Sequence, residues 1–264
     1  MKLSAAFDIV GQIRFAVTIA FFPTVRAIFN SPSLLINPTA LSRVIMAHVW
    51  VPFGKGSDAG ASGDKKRLIT PHSSGVVLDL GAGHGYTANY LQREKVTKYI
   101  ALEPNVLMHP HIREKAHAAG YTEANGSLLI LSCGAEDTVS ILSSLHGRAD
   151  TIISVLSLCT VPAPHQTLHA LVQDVLAPGG TLIFYEHVLS PHEDVAWWQR
   201  LWSPVWGKVF DGCCLDRPTH LWIKNLVDED GESPWAEGEI SGAEGFDEEE
   251  HHLFWRQIGR FVKK

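Results

Sequence analysis

The segment Val-Val-Leu-Asp-Leu-Gly-Ala-Gly-His-Gly-Tyr-Thr at 76–87 constrains this chain more than any other stretch. The apolar run 76–80 reads as a buried parallel strand, and it leads straight into Gly81, Ala82, Gly83, His84 and Gly85. Glycines on alternate positions let a backbone turn tightly and leave no Cβ between it and a ligand. Residues 86–92 read as a helix whose N-terminus faces the same spot. A strand, a bare loop and a helix N-terminus together build a nucleotide-type pocket. The plain alternative is a glycine turn in an ordinary α/β protein.

Spacing narrows the reading. Dinucleotide-binding loops run G-x-G-x-x-G; here the run is G-x-G-x-G, with Asp79 two positions before the first glycine. Residues 99–102 read as a second strand that ends in Glu103, about 20 residues on, where such folds place an acceptor for ribose hydroxyls. A carboxylate there accepts from two vicinal hydroxyls and repels a phosphate. Downstream the pattern alternates. Strands are expected near 76–80, 98–102, 128–132, 150–155 and 181–187, and helices near 86–93, 107–119, 135–145 and 164–176. Alternation of this kind predicts an α/β fold: a doubly wound, Rossmann-like sheet of seven mostly parallel strands.

The remaining chain is read around that core. Residues 4–29, with a break near Pro23, and 38–49 read as helices, and 54–74, rich in Gly, Ser, Asp and Lys, as a loop. Residues 1–74 are thus expected to form a helical cap with its linker, and 75–264 the main domain. The apolar run 15–25 contains Pro23 and lies between Arg14 and Arg26. At eleven residues it is shorter than the ~20 a membrane span needs. Two readings stand for it: a helix packed over the site, or a helix lying on a membrane surface. In the aromatic-rich segment 192–224, Trp198, Trp202 and Trp206 recur at helical spacing, which suits core packing or an apolar pocket on the substrate side.

Composition excludes several classes. A hydrophobic content of 45% supports a packed core, and 19% charged residues is too little for a disordered chain. Eleven acidic residues and no Lys or Arg fall within 225–250, so the net charge of −6 is local and the body is mildly basic. That stretch reads as solvated loops around a strand at 235–240. No cluster of Lys and Arg interleaved with aromatics suggests nucleic acid. Cys133, Cys159, Cys213 and Cys214 form no disulfide framework and show no zinc-knuckle spacing, and the acidic runs match no calcium loop; no metal is expected. The natural setting is reducing and cytoplasmic, with the membrane surface as the second reading.

At this point the sequence resembles a known family. Residues 78–85 are similar to the first motif of class I S-adenosylmethionine-dependent methyltransferases. Blocks at 103–105, 134–137, 150–161 and 176–187 are similar to that family's later motifs, in order. The resemblance implies S-adenosyl-L-methionine as cofactor and S-adenosyl-L-homocysteine as product. Residue by residue, it implies that Gly81, Ala82, Gly83 and Gly85 approach the donor's methionine and ribose. Glu103, with Pro104 and Asn105, would hold the ribose hydroxyls, and Asp79 would reach the amino-acid end or order the loop. Ala135 and Glu136 would flank the adenine, and Leu156 and Ser157 would face the sulfonium. The blocks at 158–161, 185–188 and 210–213, with Arg217, resemble the branch that contains alkyl-thiol methyltransferases. The chain departs from that branch in its weaker N-terminal apolar segment and its acidic stretch.

The branch implies an apolar small-molecule acceptor. A thiol needs little help, because a pKa near ~8.5 leaves some thiolate at neutral pH. Thiol S-methylation is therefore expected first, and O- or N-methylation of a hydrophobic molecule second. A donor-binding regulatory protein without turnover and a nicotinamide oxidoreductase are the readings from other classes. His187, at a strand end, is either the base for the acceptor or a hydrogen-bonded structural ring. Asp211 either orients that ring, or accepts a proton itself, or belongs to a plain Asp-Gly turn. Cys213 and Cys214 read as small packed groups.

Overall fold

The computed structural model describes residues 3–243 and 252–264; the acidic run 247–250 lies outside them. Within the described residues the strands are β1 (Gly75–Leu80), β2 (Val96–Leu102), β3 (Leu128–Leu131), β4 (Ala149–Val155), β5 (Leu176–His187), β6 (Trp235–Gly242) and β7 (Arg256–Lys263). They form one sheet in the order β3-β2-β1-β4-β5-β7-β6. β1 to β5 pair in parallel, and β7 runs antiparallel to both β5 and β6. The chain winds outward from β1 to β3, then returns to β4 on the other side. That reversal opens a crevice at the carboxyl ends of β1 and β4.

The helices are α1 (Leu3–Asn30), α2 (Pro38–Gly60), α3 (Ser62–His72), α4 (His109–Ala118), α5 (Thr138–Leu145), α6 (Pro164–Ala170), α7 (Glu193–Val209) and α8 (Thr219–Lys224). Alternate residues of each strand serve opposite faces. Leu78, Leu80, Ile152 and Phe184 pack with Ile141 of α5, Leu168 of α6 and Ile223 of α8. Val77, Tyr99, Ile153 and Tyr185 pack with Ile69 of α3 and Ile112 of α4. Each such side chain, fully buried, contributes roughly 1.5–3 kcal/mol before entropy is counted. A third cluster joins Ile9, Ala16 and Ala20 of α1 to Val49 of α2 and Trp206 of α7, and reaches Cys159, Phe210 and Cys213.

Several local expectations are corrected. Residues 54–74 are helical almost throughout: α2 runs to Gly60 and α3 follows. Tertiary contacts override the weak helix propensity of Gly54, Gly56 and Gly60. The Trp50 indole lies against Gly54, and the Asp58 carboxylate accepts from Lys65 Nζ (2.9 Å) and from the Tyr90 hydroxyl (2.9 Å), tying α2 to the core. α1 passes through Pro23 unbroken. It is long and apolar enough to cross a membrane, so the eleven-residue limit understated it. Residues 86–90 form only a single 3₁₀ turn rather than a full helix. α6 ends in a π turn, Leu171–Val175, where Lys263 Nζ donates to the carbonyls of Val172 (2.7 Å), Gln173 (3.0 Å) and Leu176 (3.0 Å).

Candidate functional site

Two cavities lie beyond the carboxyl ends of the central strands. The first, about 380 Å³, is lined by Gly81, Gly83, Glu103, Pro104, Ala135, Glu136, Leu156 and Ser157, among others. The second, about 440 Å³, is mostly apolar, with Phe53, Trp206, Phe210 and Phe254 around Cys159, His187 and Cys213. Met46 and Trp50 of α2, together with Leu156 and Thr160, line both. Leu156 stands at φ +55, a left-handed conformation that costs a non-glycine residue about 1–3 kcal/mol. Its N–H donates to the Tyr185 carbonyl (2.9 Å), which holds the turn out of β4 at the boundary of the two cavities.

In the first cavity Glu103 is the organising group. Its Oε2 accepts from the Gly83 N–H (2.8 Å) and its Oε1 from the Asn105 N–H (2.8 Å). Asn105 Nδ2 in turn donates to the Arg43 carbonyl (2.9 Å), fixing α2 over the site. Burial pushes the Glu103 carboxyl up to about 7, against the two N–H donors that favour its ionised form. Each oxygen keeps a lone pair for a further donor. Gly83 sits at φ +55, and a Cβ there would lie 2.5 Å from the Trp50 indole nitrogen. The bare loop thus faces α2 as well as the cavity.

Asp79 and Ala82 line a small chamber of about 30 Å³ with Lys65 and Tyr86, which shares Trp50, Gly81 and Leu156 with the first cavity. Asp79 Oδ2 accepts from the Tyr99 hydroxyl (2.7 Å), and burial raises its carboxyl to about 6. Gly85 lines none of these three spaces; it lets the loop pass close to Ile112.

In the second cavity His187 Nε2 lies 3.2 Å from Cys213 Sγ, which lies 3.3 Å from Cys159 Sγ. The contact with Cys159 holds the Cys213 thiol well below its ordinary range and pushes Cys159 up. For His187, burial lowers the pKa, but Cys213 and Glu186 together outweigh it, and the net shift is upward. The surrounding loops are held by hydrogen bonds. Glu186 Oε1 accepts from Ser154 Oγ (2.7 Å) and from the N–H groups of Ser157 (3.0 Å) and Leu158 (3.2 Å). Arg217 Nη1 donates to the carbonyls of Leu158 (2.9 Å) and Val161 (2.7 Å). The short blocks around 158–161, 185–188 and 210–217 thus meet in one place.

Asp211 stands apart from His187. It lines the first cavity, with φ +48, and its N–H donates to Ser42 Oγ (3.2 Å). The partner of His187 Nε2 is a thiol, so Asp211 does not orient the ring. Cys213 is likewise more than a packed small group. The contributions of Arg43, Met46 and Trp50 escape sequence reasoning, because α2 reads only as an apolar cap. Glu186 lies within the block at 176–187, yet nothing in its spacing announces a buried acceptor of three hydrogen bonds.

Residues 61–226 match the sequence model of a family described as a methyltransferase domain. Human thiol S-methyltransferase TMT1B is 33% identical over 151 residues, 57% of this chain and 58% of that protein. Mouse thiol S-methyltransferase TMT1B is 45% identical over 145 residues, 54% of this chain and 56% of that protein. The chain therefore spans little more than half the length of these relatives. An O-methyltransferase family protein from Burkholderia thailandensis superposes with TM-score 0.53 at 15% identity, over 86% of this chain and 59% of that one. The N-methyltransferase NodS from Bradyrhizobium japonicum, solved with S-adenosyl-L-homocysteine, gives 0.51 at 12% identity, over 76% and 86%. At such identities the superpositions bear on the fold. The family match covers more than half of the sequence, and the chain belongs to the methyltransferase-domain family.

Proposed function

We propose that the protein is an S-adenosyl-L-methionine-dependent methyltransferase that methylates the sulfur of small apolar thiols. The observation that carries this reading is the pair of adjoining cavities, the more polar one built on Glu103 and the more apolar one around His187, with Leu156 lining both. The first fits the donor. Glu103 keeps lone pairs for two ribose hydroxyls, Glu136 can accept from an adenine amino group, and the loop at Gly81 and Gly83 carries no side chain. When bound, the donor supplies an electrophilic methyl group on a sulfonium. The chain's own residues bind it, orient the acceptor and exclude water, which together can supply several kcal/mol. Phe53, Trp206 and Phe210 favour an apolar acceptor, and the thiol S-methyltransferase relatives favour sulfur.

A donor-dependent screen of thiols, phenols and amines, read by mass, tests the reading. Methylated thiols are expected in preference to the other two classes. Methylated phenols or amines with no thioether would move the function to O- or N-methylation. Replacing His187 by Ala should lower turnover at least tenfold and leave donor affinity unchanged by calorimetry. Unaltered turnover would make the ring purely structural.

We also propose peripheral membrane contact through α1. One face of the helix is docked through Ile9, Ala16 and Ala20, while Phe22 and Phe29 on the helix and Ile36 just after it are 78%, 82% and 87% exposed. A docked helix with an apolar outer face suits a membrane surface better than a span.

A further inference from the structure

We propose that Cys159, His187 and Cys213 form a zinc site with one open position facing the apolar cavity. The three ligand atoms lie within 4.8 Å of one another, and all three residues are buried. They come from three separate segments: the loop after β4, the end of β5 and the turn after α7. Tetrahedral zinc, with bonds of about 2.3 Å to sulfur and 2.0–2.1 Å to nitrogen, sets sulfur–sulfur and sulfur–nitrogen separations of about 3.8 and 3.6 Å. The observed 3.3 Å and 3.2 Å lie within about half an ångström of these values, and the third pair, Cys159 Sγ and the imidazole, lies within 4.8 Å.

The frame that holds the ligands is preorganised. The Cys214 N–H donates to the Cys159 carbonyl (3.0 Å), and Arg217 clamps the carbonyls on either side, at Leu158 and Val161. His187 presents Nε2 to Cys213 Sγ, and that is the nitrogen that would take the metal. Two thiolates and an imidazole are a ligand set for a borderline-soft metal, and two thiolates neutralise a divalent cation, which suits an apolar wall. Three protein ligands with a fourth position open are the arrangement of a catalytic rather than a structural zinc. All three line the second cavity, so the open position is reached from the acceptor side.

Metal binding rests on these side chains alone; its use rests on the thiol reading given above. An acceptor thiol entering the cavity would exchange with a zinc-bound hydroxide. The hydroxide takes the thiol proton and leaves as water, and the sulfur stays on the metal as thiolate. The site would thereby select sulfur over oxygen and nitrogen.

The test uses the full chain, reduced and freed of metal by a chelator, with Co²⁺ as the optical probe. One equivalent should produce tetrahedral visible bands and a thiolate-to-cobalt charge-transfer band, and Zn²⁺ should bleach both. Cys159→Ser and Cys213→Ser should each lose about half of the charge-transfer intensity, while Cys133→Ser and Cys214→Ser keep it. Adding phenylmethanethiol should increase that band, and adding the corresponding alcohol should not. If wild-type protein leaves Co²⁺ as its octahedral aqua ion, the site is overturned without recourse to any variant. Tetrahedral binding that ignores the thiol overturns the role in acceptor binding. A thiol-responsive cobalt spectrum in a protein that methylates no thiol would overturn the proposed function and leave the metal site standing.

Discussion

Glu103 couples fold to protonation: its carboxylate accepts from two backbone N–H groups while buried. Burial raises its carboxyl from 4.5 to about 7. As the pH climbs through that interval, the unfolded chain gives up the proton and the folded chain keeps it. The unfolded state then binds fewer protons, so this residue's contribution to stability falls between about pH 4.5 and 7. Donor binding should run the other way, because ionised Glu103 offers one more acceptor to the ribose. Donor affinity measured by calorimetry should therefore improve as pH rises through about 7. In Glu103→Gln that pH dependence should vanish, and affinity should drop about 10- to 100-fold, the equivalent of losing a charged hydrogen bond of 1.5–3 kcal/mol. Undiminished affinity would remove the ribose assignment. The position of this carboxylate was legible from its place after the glycine loop. Its two N–H donors and its raised pKa were not, since both depend on how closely Gly83 and Asn105 fold back on it.

At the scale of elements, α2 covers part of the crevice at the carboxyl ends of the strands. Its Trp50 covers the glycine loop and lines both cavities. Gly83→Ala should lose donor affinity for two reasons, a left-handed φ and a Cβ 2.5 Å from the indole nitrogen. Adding Trp50→Ala should restore the part due to the clash, and a double-mutant cycle on donor affinity measures it. Purely additive losses would show that the indole does not restrict the loop. A second element effect sits across the molecule, where Lys263 of β7 caps the π turn after α6 through three carbonyls. A cation at a helix C-terminus is favourable. Lys263→Met leaves those carbonyls unsatisfied and should cost about 2–3 kcal/mol in urea unfolding. The cap helices were misjudged because Gly54, Gly56 and Gly60 carry low helix propensity. The sequence does not display the indole or the Asp58 bonds that hold them in a helix.

Across the whole molecule, the sheet sets the crevice, the N-terminal helices roof it, and α1 presents a second apolar face outward. Full-length protein should sediment with anionic vesicles, and replacing Phe21, Phe22 and Phe29 with Ser should weaken that association severalfold without lowering the melting temperature. Equal sedimentation would remove the membrane proposal. The sequence by itself determined the alternation of strands and helices, the doubly wound sheet and most of the residues that line the first cavity. These rest on local signals: apolar runs of strand length, a glycine loop, and a carboxylate at a set distance along the chain. Only the tertiary structure decided the second cavity. It separated Asp211 from His187 and brought Cys159, His187 and Cys213 together from three segments. No spacing rule sees such a cluster, because its geometry is set by packing between β4, β5 and α7 and by Arg217 and Glu186, which hold the loop after β4.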